Sequence, residues 1–109
     1  MGVNKVILLG YVGRDPEVRY PEKGAALAKF TLATTEKVGE SGNEVTEWHI
    51  IVATGRNAEI AERYIRKGTR LYVEGSLRTR DYEDRLHISR KVTEILVSRM
   101  ELLGRSSNQ

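Results

Sequence analysis

Two short stretches of this chain put a flat ring among polar and basic side chains: Thr46-Glu47-Trp48-His49-Ile50-Ile51-Val52 and Leu77-Arg78-Thr79-Arg80-Asp81-Tyr82. Trp48 is the one tryptophan, in a sequence with a single phenylalanine and five tyrosines. Single-stranded nucleic acid needs that combination, because cations hold its phosphates and rings stack on its exposed bases, at ~1–3 kcal/mol per base. A duplex hides those faces. Further basic residues, Lys5, Arg19, Lys29, Arg56, Arg66, Lys67 and Arg70, are dispersed along the chain, as a groove assembled from several strands would require. Asp81, Glu83 and Asp84 around Tyr82 act against phosphate binding there.

Neither ring is settled by local pattern. In the Trp48 segment, Thr46, Trp48, Ile50, Val52 and Thr54 share one face, and Glu47, His49, Ile51 and Ala53 the other. Both faces are partly apolar, so the residues alone leave Trp48 evenly placed between a core ring and a stacking platform. Tyr82 reads as a stacking ring on a mobile arm, in a charged connection from Asp81 to Arg85 that cannot form a core.

Other chemistries find little support. Cysteine is absent, which removes disulfides, thiolate nucleophiles and cysteine-held metals or clusters. His49 and His87 are the only histidines, and neither stands in a metal-ligand spacing. No Gly-x-Ser-x-Gly elbow, phosphate loop or dinucleotide fingerprint occurs. Gly10-Tyr11-Val12-Gly13 matches the loop of KH domains, but that loop joins two helices and this one ends a strand. No enzyme, no cofactor and no metal are expected. The net charge of +3 permits a polyanionic partner without requiring one. No apolar run approaches the ~20 residues that span a bilayer, so a cytoplasmic protein without a membrane partner is expected.

The elements that must carry these residues follow from periodicity. With 109 residues, 39% hydrophobic and 30% charged, one folded domain is expected. Val3 to Val12 is a strand with Gly10 and Gly13 near its end, where a barrel strand must bend. Tyr20-Pro21-Glu22-Lys23-Gly24 is a turn. Ala26 to Thr35 alternates, with Ala26, Ala28, Phe30 and Leu32 opposite Lys29 and Thr31. Gly39 to Asn43 is a polar connection and a candidate binding loop, followed by a strand from Val45 to Ala53. Asn57 to Lys67 is helical, with Ile60, Ala61, Tyr64 and Ile65 inward, Asn57 as N-cap, Glu59 in the first turn, Arg66 and Lys67 at the carbonyl end and Gly68 at C′. Strands from Thr69 to Arg78 and from about Leu86 to Val97, extending toward Leu103, complete the set. Five strands with one α-helix between strands 3 and 4 is the layout of an all-β, five-stranded Greek-key OB-fold barrel. Residues 1–104 would form that domain and 105–109 a disordered end.

Several blocks, in order, resemble the bacterial single-stranded DNA-binding protein (SSB) family. They are Asn4-Lys5-Val6-Ile7-Leu8 with Gly10 and Gly13; Asp15-Pro16-Glu17-Val18-Arg19-Tyr20; Leu32-Ala33-Thr34; Thr46-Glu47-Trp48-His49; Tyr64-Ile65-Arg66-Lys67-Gly68; Tyr72-Val73-Glu74-Gly75; and Leu77-Arg78-Thr79-Arg80. The resemblance implies an OB-fold, sequence-tolerant single-stranded DNA binding in replication, recombination and repair, and a homotetramer built as a dimer of dimers. It makes Trp48 a base-stacking ring, puts Tyr82 where the family often has tryptophan, and matches Lys5, Arg19, Arg56, Arg66, Lys67, Arg78 and Arg80 to basic positions on the DNA path. Val38 and Thr54 stand where family members place further aromatics, Ile50 replaces a frequent basic residue, and the glycine of the hairpin tip near Asp84–Ile88 is missing. The family's Gly/Pro/Gln-rich linker and acidic tip do not occur before Gln109, so tail-mediated protein partners are not expected. Either the chain stops short of them, or it is a specialised relative that coats DNA without recruiting. Two rivals follow: a tail-less OB assembly module resembling primosomal replication protein N, acting through protein contacts, and an RNA-binding OB module.

Overall fold

The computed structural model describes residues 1–21 and 24–105. Its elements are β1 (Val6–Val12), β2 (Glu17–Arg19), β3 (Leu27–Val38), β4 (Asn43–Thr54), α1 (Gly55–Tyr64), β5 (Thr69–Glu83) and β6 (Ser89–Arg105). Hydrogen bonding runs in the order β1-β5-β6-β4-β3, and Tyr11 and Val12 of β1 return to pair with Ala33 and Leu32 of β3. This closes a five-stranded OB-fold barrel. β4 and β6 run parallel and every other pair antiparallel. The predicted turn at Tyr20–Gly24 includes Glu22 and Lys23, which lie outside the described residues; of the predicted disordered end at 105–109, Arg105 is the last residue of β6, and 106–109 lie outside the described residues.

Closure depends on close approach at one glycine. A Cβ on Gly10 would sit 2.1 Å from the carbonyl oxygen of Ala33, so only glycine lets β1 swing onto β3. Inside, Val12, Ala28, Phe30, Leu32, Ile51, Ala53, Leu71, Val73 and Ile95 form one buried cluster. These are the inward members of alternating strands, as predicted for β3, and they fill a barrel too narrow for a channel. α1 plugs one end with Ala58 and Ala61, and Ile65 just beyond it is buried in the same cluster.

Several boundaries differ from expectation. The helix starts at Gly55 and ends at Tyr64, with Thr54 as N-cap making no side-chain capping bond, so neither the Asn57 cap nor a first-turn Glu59 exists. Tyr64 is exposed rather than inward, because small alanines make the close contact with the barrel. Gly68 does take a left-handed φ of 90°, but four residues past the helix, where its N–H reaches the Val12 carbonyl at 2.8 Å. Arg66 lies beyond the helix, yet its Nη1 donates to the carbonyls of Glu62 at 2.9 Å and Ile65 at 2.7 Å. The three-residue β2 was not predicted. Among the described residues no helix is long and apolar enough to cross a membrane.

Candidate nucleic-acid interface

β3 and β4 pair with Ala33 opposite Trp48, Thr31 opposite Ile50 and Lys29 opposite Val52. Ile51 and Ala53 are committed to the core, so the period-two rule turns Trp48, Ile50 and Val52 to the outer face. Trp48 is 60% exposed. Its indole lies over Gly13, where an added Cβ would stand 2.4 Å from Cζ3 and 3.0 Å from Cη2 of the ring. Gly13 is in turn tied to β3 by its N–H, 3.0 Å from the Thr31 carbonyl. The tryptophan that periodicity left undecided is thus a supported surface ring with an open face.

Two adjoining hollows continue this face. One, of about 250 Å³, is lined by Arg14, Asp15, Glu17, Lys29, Phe30, Thr31 and Ile50. The next, of about 320 Å³, shares Glu17 and Lys29 and adds Arg19, Leu27, Val52, Arg80 and Glu94. Glu94 on β6 is only 6% exposed and forms the floor. Arg80 on β5 grips it with two bonds, Nε to Oε1 at 3.0 Å and Nη2 to Oε2 at 3.1 Å. Lys29 Nζ stands 3.8 Å from Oε2. Hydrogen bonding from Arg80, helped by the charges of Arg80, Lys29 and Arg78, holds the Glu94 carboxyl below its ordinary range against the opposing effect of burial. Glu17 pairs with Arg19 at 3.9 Å. Cations therefore line the groove, partly balanced by carboxylates.

The remaining predicted site residues are placed as follows. Arg78 faces Glu94 across the β5–β6 ladder. Tyr82 is 44% exposed, but it belongs to β5 and pairs with Arg90, so the arm is a regular two-stranded hairpin and not a mobile loop. Cross-strand charge pairing explains this, since Asp81 meets Lys91 at 3.0 Å. The tip is closed by Asp84, whose side chain accepts from the N–H groups of Leu86 and Ile88 and from Arg90 Nε. His87 takes the left-handed position there, at φ 61°, which a glycine would otherwise fill. Lys5 pairs with Glu74 at 3.4 Å, in a cluster with Tyr72 and Arg99. Arg56 lines a hollow on α1 with Glu59, Ile60, Arg63 and Tyr64. Arg66 is turned onto backbone carbonyls, and the Lys67 N–H bonds Asp15 at 2.8 Å. The groove thus gathers Arg19 and Arg80 and adds Arg14, Lys29 and Glu94, whose convergence needs pairings that no local pattern shows. Among the described residues no cluster of His, Asp or Glu is placed to hold a metal.

The Single-strand binding protein family matches residues 3–103. A Bacteroides thetaiotaomicron protein named single-stranded DNA-binding protein is 51% identical over 109 residues, covering 95% of this chain and 68% of that one. A solved structure of the Plasmodium falciparum SSB in complex with ssDNA is 32% identical, covers 97% of each chain and superposes with a TM-score of 0.84. The chain carries the barrel, the glycine-supported ring and the family's sequence from end to end of the barrel, and it belongs to the single-strand binding protein family.

Proposed function

We propose that this protein binds single-stranded DNA with little regard to sequence and protects it during replication, recombination and repair. The observation that carries the reading is the Trp48 indole, exposed on the outer face of β4 and backed by Gly13, next to hollows lined by Arg14, Arg19, Lys29 and Arg80. Bases stack on Trp48 and, on the β5–β6 hairpin, on Tyr82; phosphates take the cations. Lys5, Arg56, Arg66, Lys67 and Arg78 extend the path on either side. The likeness to a protein solved with ssDNA supports the same reading. The double substitution Trp48→Ala, Tyr82→Ala should weaken oligo(dT) binding by at least tenfold, given ~1–3 kcal/mol per stacked base. Unchanged affinity in a folded double variant would sink the stacking mechanism.

The protein works as a homo-oligomer, a tetramer formed as a dimer of dimers, in the cytoplasm. Ile7, Leu9 and Tyr11 form an exposed apolar row on β1. β1 is paired with β5 along Val6–Tyr11, but with β3 only at Tyr11 and Val12. The remaining edge is open to a second copy, and pairing it removes an aggregation hazard.

A further inference from the structure

From Trp48 toward the helix, the outer face of β4 carries no charge: beyond the indole stand Ile50 and Val52. Two of the cations lining the adjoining hollow come from neighbouring strands, Lys29 opposite Val52 on β3 and Arg80 on β5, and both are anchored on the same buried carboxylate. Arg80 spends Nε and Nη2 on Glu94. Among the described residues its Nη1 has no hydrogen-bond partner, and neither has Lys29 Nζ, which is held only by the longer ion pair. Both side chains keep more than two-fifths of their surface open to solvent, while Glu94 is sealed beneath them. Two positive charges over one buried negative charge leave a net charge of +1, with unused donors facing outward into the hollow.

We propose that Lys29 and Arg80 take a phosphate of the single strand, and that Glu94 beneath them is a built-in competitor that keeps this contact weak enough to release. The inference rests on the single-stranded DNA reading and adds to it a named phosphate site and an attenuator. An arriving phosphate does not displace Glu94, which lies below the guanidinium; it shares Arg80 and Lys29 with it. Each cation is therefore partly neutralised before DNA arrives, and the phosphate also feels the carboxylate directly. Glu94 is a positioning residue in this scheme, touching the cations and not the DNA.

The signs of two substitutions separate this from a purely structural role. Lys29→Gln removes a donor and should weaken oligo(dT) binding while reducing the slope of log affinity against log salt by about 0.7, one phosphate's share for a single strand. Glu94→Gln keeps the shape and one acceptor for Arg80 but removes the competing charge, and should tighten binding roughly threefold to tenfold at low salt, mainly by slowing dissociation. Anisotropy of a labelled oligo(dT) over a salt series, with dissociation followed by competition, reads both. Weaker or unchanged binding by a folded Glu94→Gln variant overturns the attenuator. Exposed Lys29 tolerates replacement even if Glu94→Gln unfolds the protein, and an unaltered salt slope in Lys29→Gln overturns the phosphate site. If the unsubstituted protein itself fails to bind oligo(dT), the single-stranded DNA reading falls, and this inference with it; if it binds and only the variants disagree, the inference alone falls.

Discussion

Replacing Gly13 by alanine tests how the stacking ring is held. The new Cβ would lie 2.4 Å from Trp48 Cζ3 and 2.8 Å from Thr31 Oγ1. Carbon atoms rest at about 3.5–4.0 Å, so the indole must move by more than an ångström or swing off its seat. The backbone raises no objection: Gly13 lacks a left-handed φ, and its N–H bond to Thr31 survives the change. An exposed ring and a rotatable hydroxyl both give way easily, so the stability cost should stay below the ~1–3 kcal/mol of an overpacked core. Binding should suffer more than folding. Complete loss of a stacking ring is worth ~1–3 kcal/mol, and a displaced ring still meets a base, so a weakening of about fivefold is expected. The assay is anisotropy with labelled oligo(dT) in a double-mutant cycle, Gly13→Ala against Trp48→Ala. The glycine effect should vanish once the indole is gone. Wild-type affinity in Gly13→Ala, or an equal loss in the Trp48→Ala background, would refute the idea that Gly13 acts through the ring.

Three further outcomes follow from other parts of the molecule. His87→Gly should be tolerated at the hairpin tip, whereas His87→Val should cost about 1–2 kcal/mol, because a β-branched side chain fits the left-handed region poorly; thermal melts compare them. Acid should destabilise the protein. Hydrogen bonds from Tyr72 to Glu74, from the Ile88 N–H to Asp84 and from Arg80 to Glu94 hold these carboxyls below their ordinary range, so their contribution is complete only above the ordinary carboxyl range, at about pH 5 and higher, and is lost as pH falls through the depressed values. Urea titrations between pH 6 and pH 2 check the sign, and Glu94→Gln should flatten the profile. Ile7→Glu on the apolar row of β1 should lower the sedimentation coefficient toward that of a monomer while leaving the circular dichroism spectrum unchanged.

How much of this was legible depended on whether the cause was local. β3 announced itself: Ala28, Phe30 and Leu32 are buried and Lys29 and Thr31 face out, as its alternation required. β4 did not, because Ile50 and Val52 are as apolar as Ile51 and Ala53. Val52 is buried although it lies on the outer face, and it shares its hollow with Arg80 and Glu94, far away in sequence. Tyr82 was misplaced in a loop since its segment is charged and patternless by itself; only Lys91 and Arg90 on the returning strand make Asp81–Tyr82 a ladder. The helix start was missed because Gly55, at φ 60°, turns the chain with no capping side chain to signal it. Glu94 carried no signal as a floor residue. A carboxylate in a Thr-Glu-Ile strand looks solvated until two cations from other strands cover it.

The central claim is that one exposed indole and a partly neutralised groove grip unpaired bases and phosphates. Titrating the protein with oligo(dT) and with a matching duplex, at low and high salt, while following Trp48 fluorescence, tests it directly. The single strand alone should quench the emission strongly, and added salt should shift the curve to weaker binding. Equal responses to both nucleic acids, or an unchanged emission accompanied by no binding in anisotropy, would contradict it.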